Sequence, residues 1–226
     1  MGNIITVDGL ASAGKGTLSR RLAHSIGYIH VDNGLVFRAI SLNLFRHSKN
    51  SPLENQGIIL SAIKETELTV EWDGKACKTF LKGEDVTLEV LRLEIGQFTS
   101  LLASNPQCFT AMAEVIKRLC SNYNVVSDGR AVGTFIFPKA DLKFFITATT
   151  EVRAQRRFKD LTSKRMKVNY LSILHDLQDR DSRDTNRSFY PLIAPQGAIT
   201  IDTSNLSIQE SLQEMLEAYT KSIGGQ

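Results

Sequence analysis

The sequence predicts an α/β fold, a parallel sheet covered by helices on both faces, and three observations carry that expectation. A β-branched apolar run leads directly into a glycine-rich loop and then an amphipathic helix within the first 27 residues. Short apolar runs of strand length then alternate with helical stretches along the chain, the pattern of parallel strands joined by crossovers. The 226 residues are 42% hydrophobic and 23% charged, the proportions of one globular core carrying insertions.

In chain order, Asn3 to Asp8 reads as a buried strand closed by Gly9. From Thr17, the spacing of Leu18, Leu22 and Ile26 marks one face of a helix, which Gly27 ends. Tyr28 to Val31, Asn124 to Ser127, Leu142 to Ala148 and Ile199 to Ile201 read as further strands. Glu67 to Trp72 and Ala76 to Leu81 flank Asp73-Gly74, a hairpin signal that predicts an antiparallel insertion over about residues 60–90. After Thr150 the pattern is helix, loop, helix, with the loop near 162–168. The last helix opens on a capping box, Ser207 with Glu210, and carries Ile208, Leu212, Met215, Tyr219 and Ile223 on one stripe.

Composition excludes several classes. No run of about 18 apolar residues is present to span a membrane, and Asp8 and Lys15 interrupt any apolar signal-peptide core, so a soluble, cytoplasmic protein is expected. Cys77, Cys108 and Cys120 form an odd set without metal-binding spacing, as reduced thiols would. The net charge of +3 is too small for a nucleic-acid coat protein. Its distribution is uneven: residues 153–187 hold ten Lys/Arg against five Asp, and seven of the ten are arginine. The guanidinium fork suits bidentate grips on phosphate. RNA binding by that stretch is the less favoured alternative, because aspartates interrupt it and no aromatic ladder accompanies it.

The loop Gly9-Leu10-Ala11-Ser12-Ala13-Gly14-Lys15-Gly16-Thr17 has the chemistry of a phosphate cradle. Its glycines let successive N–H groups turn inward, and the helix that follows adds positive charge at its N-terminus. Lys15 can reach the outer phosphates, and Thr17, one position later than in the strict P-loop pattern, offers a hydroxyl to Mg²⁺. No guanine-reading NKxD segment is present, which argues against a GTPase.

Further segments share an order with one family. Asp32-Asn33-Gly34-Leu35-Val36-Phe37-Arg38, Gly83-Glu84-Asp85-Val86, Asp128-Gly129-Arg130 with Gly133-Thr134 and Phe137-Pro138, and the run from Arg180 to Arg187 together resemble the bacterial cytidylate kinase family. The resemblance runs from Ile4 to about Glu210 and includes the hairpin insertion. It implies a P-loop kinase with a central parallel sheet flanked by helices, an inserted acceptor-binding region with a small antiparallel sheet, and a helical lid. On that basis one kinase domain is expected, its core about 1–31, 110–150 and 172–226, its insertion about 32–109 and its lid about 151–171. The implied reaction moves the ATP γ-phosphoryl group to CMP or dCMP with Mg²⁺. The implied partners are small nucleotides, with no nucleic acid or membrane and with the chain a monomer.

Residue by residue, the resemblance implies catalytic work for Lys15, Asp128, Arg130, Arg153 and Arg157, and an outer place in the Mg²⁺ shell for Asp128 beside Thr17. Residues 9–17 would bind ATP. Asp32, Asn33, Gly34, Phe37, Arg38, Ser100, Arg130, Ala131, Arg180, Asp184 and Arg187 would bind the acceptor, Arg38 and Arg130 at its phosphate and Ser100 at its base. Arg153 and Arg157, with Arg156, would sit in the lid, while Asp181 and Arg183 read as structural. Departures from the family pattern fall on the acceptor side: Ala131 replaces an acidic residue, Phe109 stands where an arginine reads cytosine, Asn33 replaces a serine or threonine, and Phe37 a tyrosine. They suggest an alternative, a member acting on a different phosphate- or phosphonate-bearing acceptor.

Overall fold

The β-branched run Ile4 to Val7, with Asp8 and Gly9 after it, forms the first strand of the structure, a computed structural model that describes residues 2–48, 55–72 and 77–223. The strands are β1 (Ile4–Gly9), β2 (Ile29–Asp32), β3 (Leu68–Trp72), β4 (Cys77–Leu81), β5 (Glu84–Asp85), β6 (Val125–Gly129), β7 (Leu142–Thr147) and β8 (Ile199–Asp202). The helices are α1 (Lys15–Ile26), α2 (Asn33–Ser48), α3 (Gln56–Lys64), α4 (Leu93–Ser104), α5 (Pro106–Cys120), α6 (Thr150–Ser163), α7 (Tyr170–Thr185) and α8 (Ile208–Ser222). The chain divides into two compact units, Tyr28–Val125 with the first two residues, and Asn3–Gly27 with Val126–Gln226.

In the second unit the strands stand in the order β6-β1-β7-β8. β1 and β7 are parallel, with Val7 opposite Phe144, and β7 and β8 are parallel, with Ile146 opposite Ile201. Helices flank this sheet, and Ile5, Val7, Phe144, Ile146 and Ile201 are buried in its core. Helix α1 starts at Lys15, two residues earlier than the periodicity suggests, and buries Leu18 and Leu22. Gly27 ends it in the left-handed conformation, its N–H bonded to the Ala23 and His24 carbonyls. Helices α6 and α7 are joined near 164–169 and share a cluster of Ala154, Ile173 and Leu177 with Ala11.

The stripe expected on α8 is corrected at its first position. The capping box is present, but the buried face carries Ser211 and Met215, and Ile208 is 47% exposed. As the first helical residue after the cap, Ile208 lines an open cleft instead of the core.

In the first unit, β3, β4 and β5 form the expected antiparallel insertion, with Val70 opposite Thr79 and Phe80 opposite Asp85. The turn signal Asp73-Gly74 lies outside the described residues. Ala39 and Leu42 of α2 pack with Leu81, Val86, Val90 and Ile95. Helix α5 is capped by Asn105, whose side chain accepts from the Gln107 and Cys108 amides, and Pro106 occupies its first turn. Its apolar face buries Phe109, Met112, Val115 and Ile116 together with the free thiols of Cys108 and Cys120. Burial pushes the Cys120 thiol up to about 12, which leaves it protonated and inert. Among the described residues no helix is long and apolar enough to cross a membrane.

Candidate active site

The glycine loop joins β1 to α1 in the second unit. At Gly9 the backbone passes so close to β7 that a Cβ would lie 1.9 Å from the Ile146 carbonyl oxygen, and φ is 143°. Only glycine fits there. Gly14 caps α1 with φ of 95°, a turn that leaves the first helix amides unpaired and open to an anion. Lys15 leads the helix and folds back, its Nζ donating to the Leu10 carbonyl at 2.8 Å.

Two carboxylates stand beneath the loop. Asp128, at the end of β6, is buried, and its Oδ2 lies 3.7 Å from where a Cβ on Gly16 would be. Asp8, fully buried at the end of β1, accepts the amides of Val132 at 2.8 Å and Gly133 at 2.7 Å. Burial raises the Asp8 pKa, and those two amides and Lys15 oppose the rise. The amides belong to a π-helical turn, Val132–Ile136, that follows Arg130 and Ala131. Ala131 sits in the left-handed region at φ 56° and is 2% exposed. Asp8 thus fixes the segment that carries Asp128 and Arg130, a role the sequence reading did not assign. The available signal was a lone carboxylate inside a buried β-branched run, which must be paired to be tolerated.

The sequence-predicted arginines separate into distinct groups. Arg130 pairs through Nε with Asp184 Oδ2 at 2.5 Å, and Arg187 pairs with the other oxygen of Asp184 at 2.6 Å. Asp184 is only 3% exposed, so both guanidinium groups are held from one buried carboxylate of α7. Arg180, one turn earlier, is exposed and makes no side-chain hydrogen bond or ion pair among the described residues. Arg157 is exposed and, among the described residues, paired only with Asp160 of its own helix at 3.4 Å. Arg156 reaches the Thr203 carbonyl at 2.6 Å and its hydroxyl at 2.9 Å, and Thr203 in turn donates to the Ala13 carbonyl of the loop. Thr203 carried no sequence signal. Arg153 is buried, away from solvent.

The electrostatics of the group are one-sided. Burial, and then Arg130 and Arg180, push Lys15 down to about 8 against the pull of Asp128 and Asp8. Burial and Arg180 push Arg130 down to about 10 despite Asp184. Burial is the larger cause of both shifts and the neighbouring guanidinium groups the next, and an anion bound beside these cations would oppose both. Next to the loop, Ser12, Thr17, Arg156, Leu206 and Ile208 line a cleft of about 490 Å³.

The candidate residues of the first unit are arranged around α2. Asp32 Oδ1 accepts the Leu35 amide at 3.1 Å and so caps this helix, and Asn33 after it is buried. Arg38 donates to the Val90 carbonyl at 3.1 Å, and its guanidinium lies 2.8–3.1 Å from where a Cβ on Gly96 would be, so the absent side chain makes its place. The Ser100 hydroxyl is exposed and donates to the Gly96 carbonyl at 3.0 Å. Phe109 is 4% exposed and meets Phe37 edge-on, ring centroids 5.3 Å apart and planes at 85°. That pair forms an apolar contact of core type.

A strand-to-helix glycine loop that carries a lysine at the start of its helix, on a parallel sheet flanked by helices, defines a P-loop kinase. The profile of the cytidylate kinase family matches residues 5–221, and the chain belongs to that family. A cytidylate kinase of Caldanaerobacter subterraneus subsp. tengcongensis is 36% identical over 222 residues, covering 98% of this chain and 96% of its own. One from Fervidobacterium nodosum is 37% identical and covers 94% of each chain. The solved structure of an uncharacterized protein from Eubacterium ventriosum, 11% identical over 96% of this chain and 97% of that one, superposes with a TM-score of 0.53 and shows the shared fold alone. The chain is an ATP-dependent nucleoside monophosphate kinase.

Proposed function

We propose that the chain moves the γ-phosphoryl group of ATP to the phosphate of CMP or dCMP, giving ADP and CDP or dCDP. The observation that carries this reading is the glycine loop between β1 and α1, whose Lys15 is half-buried near Arg130 and Arg180. Phosphoryl transfer between two phosphates needs little acid or base catalysis. The obstacle is bringing two anions together in line, and fixed positive charge with positioning removes most of it.

In this reading the amides of residues 9–17 and Lys15 hold the donor phosphates, and the cleft lined by Arg156, Leu206 and Ile208 takes the donor nucleoside. Arg130 and Arg38 grip the acceptor phosphate. Arg180, Arg187 and Asp184 contact the acceptor nucleoside, Ser100 its base, and Asp32, Asn33, Gly34, Phe37 and Ala131 its surroundings. Arg157, exposed on α6, closes over the transferring group. Thr17 and Asp128 suit Mg²⁺, Thr17 by its hydroxyl and Asp128 through water. No cluster of three His, Cys, Asp or Glu suited to a metal stands among the described residues, so most ligands would come from phosphate and water. When bound, the metal would neutralise charge on the phosphates during transfer. The proposed setting is the cytoplasm, with free nucleotides as partners and the chain a monomer.

A second reading rests on the acceptor side. Phe109 is packed into Phe37, where it offers a cytosine no hydrogen bond, and Ala131 offers none from a position the family fills with an acid. Each missing hydrogen bond is worth about 1–3 kcal/mol, which favours a changed acceptor. ADP release from Mg-ATP with CMP, dCMP, UMP, AMP and GMP distinguishes the two. The proposal expects CMP or dCMP to exceed the others by at least about tenfold in kcat/KM. Equal rates select the second reading, and no release with any of them removes the nucleotide acceptor.

A further inference from the structure

Arg153 is among the most deeply buried side chains of the protein, 2% exposed, although its position in an arginine-rich helix suggests a phosphate ligand. Its Nε donates to the Ala148 carbonyl at 2.9 Å, just past β7. Its Nη1 donates to the carbonyl of Ala11, inside the phosphate loop, at 3.3 Å. Its Nη2 donates to the Thr150 hydroxyl at 2.8 Å and pairs with Asp181 Oδ2 of α7 at 2.7 Å. Of the five N–H donors of a guanidinium, four are committed to the protein. The one N–H that remains, on Nη1, is too little for a bidentate grip on a phosphate.

A buried guanidinium is costly unless it is well partnered, and well partnered it holds together what it joins. Here it joins the donor loop to α7. Asp181 adjoins Arg180 and lies one turn before Asp184, which holds Arg130 and Arg187. Through one rigid side chain, the Ala11 carbonyl of the loop is tied to the helix that positions the arginine cluster. The apolar contact of Ala154 on α6 with Ile173 and Leu177 on α7 holds the two helices together, with Arg153 buried and Asp181 half-buried.

We propose that Arg153 and Asp181 form a positioning pair that sets the distance between the donor-phosphate loop and the α7 arginine cluster. The pair touches neither substrate, and its role rests on the phosphotransfer reading given above. Alignment of the reacting groups is steep in distance, a misplacement of about 1 Å costing up to about 100-fold in rate. Loss of the pair therefore acts on turnover more than on the binding of either nucleotide. Lysine is no substitute for Arg153, because one ammonium cannot span Ala148, Ala11, Thr150 and Asp181 together.

The test uses Arg153→Lys, Asp181→Asn and the double variant in the full chain, with kcat, both KM values, the Kd of ATP measured without acceptor, and Tm. Each single variant is expected to lower kcat about 10- to 100-fold while the ATP Kd moves less than about threefold. The double variant is expected to be no slower than the slower single one, as for residues acting as a unit. Three results each overturn the proposal: kcat per folded molecule within about twofold of wild type, full activity of Arg153→Lys, or single losses that multiply in the double variant. The phosphotransfer reading is judged from wild type alone, and the pair from the ratio of variant to wild type with whichever acceptor wild type uses.

Discussion

At the scale of one residue, Lys15 is the most informative group. Burial first, and then Arg130 and Arg180 beside it, push its pKa down to about 8 from 10.5 against the pull of Asp128 and Asp8. Between those two values the unfolded chain binds the extra proton and the folded chain does not. Stability of the unliganded protein from this group therefore rises with pH across that window. Nucleotide capture moves the other way, because the loop needs Lys15 charged to hold phosphate. The expected profile of kcat/KM for ATP falls about tenfold per pH unit above about 8, while kcat, measured with phosphates bound beside Lys15, holds to higher pH. A kcat/KM that stays level to pH 9.5 would refute this account of the loop. Lys15 could be singled out from loop spacing and residue type, and Arg130 from the family resemblance of its segment. The roles of Asp8 and Arg153 could not be: Asp8 acts on amides of Val132 and Gly133, and Arg153 on the carbonyl of Ala11, partners more than a hundred positions away.

Among elements, the short π-helical turn Val132–Ile136 does most to aim the site, since Arg130 and Ala131 lead into it and Asp8 anchors its first amides. Gly133 lies at its tightest point. A Cβ there would fall 2.7 Å from Thr6 Oγ1, 2.9 Å from Pro195 Cγ and 3.1 Å from Asp8 Oδ2. Thr6 is a fully buried strand residue and Asp8 is engaged with the turn itself, so neither can yield without moving backbone. Gly133→Ala is expected to destabilise the protein by about 1–3 kcal/mol, as overpacking does. Thermal unfolding would show this as a Tm lower by about 2–12 °C for a chain of this size. Turnover should fall as well, because the displaced turn carries Arg130. A variant with unchanged Tm would mean that the turn has room the distances deny. Elements of regular period, such as α1, β1, β7 and the capped start of α8, could be read from the sequence because each is specified by its own residues. The π turn could not, since a carboxylate on another strand holds it. Nor could the exposure of Ile208, which follows from a cleft that no helical period records.

For the whole molecule, charge is distributed far more unevenly than its sum implies. The formal net charge is +3, yet residues 153–187 alone carry +5, so the rest of the chain is slightly negative. Much of that surplus is drawn into fixed pairs. Arg153 is bound to Asp181 and Arg187 to Asp184, while Arg157 is exposed and weakly paired and Arg180 makes no side-chain hydrogen bond or ion pair among the described residues. The unpaired cations are placed to attract polyanions over distance, and the paired ones to hold position. These two functions respond differently to salt. Screening shortens the reach of exposed charge from about 30 Å at 0.01 M to about 10 Å at 0.1 M ionic strength, and acts much less on buried groups. Adding KCl across that range at constant free Mg²⁺ is therefore expected to lower kcat/KM for ATP several-fold through slower capture. In the proposed function the chemical step depends on Lys15 and Arg130, which are largely withdrawn from solvent, so kcat should change by less than about twofold. A fall in kcat as large as the fall in kcat/KM would mean that exposed charge acts in the transition state itself. No response of either constant would mean that the arginine-rich segment plays no part in drawing nucleotide to the loop.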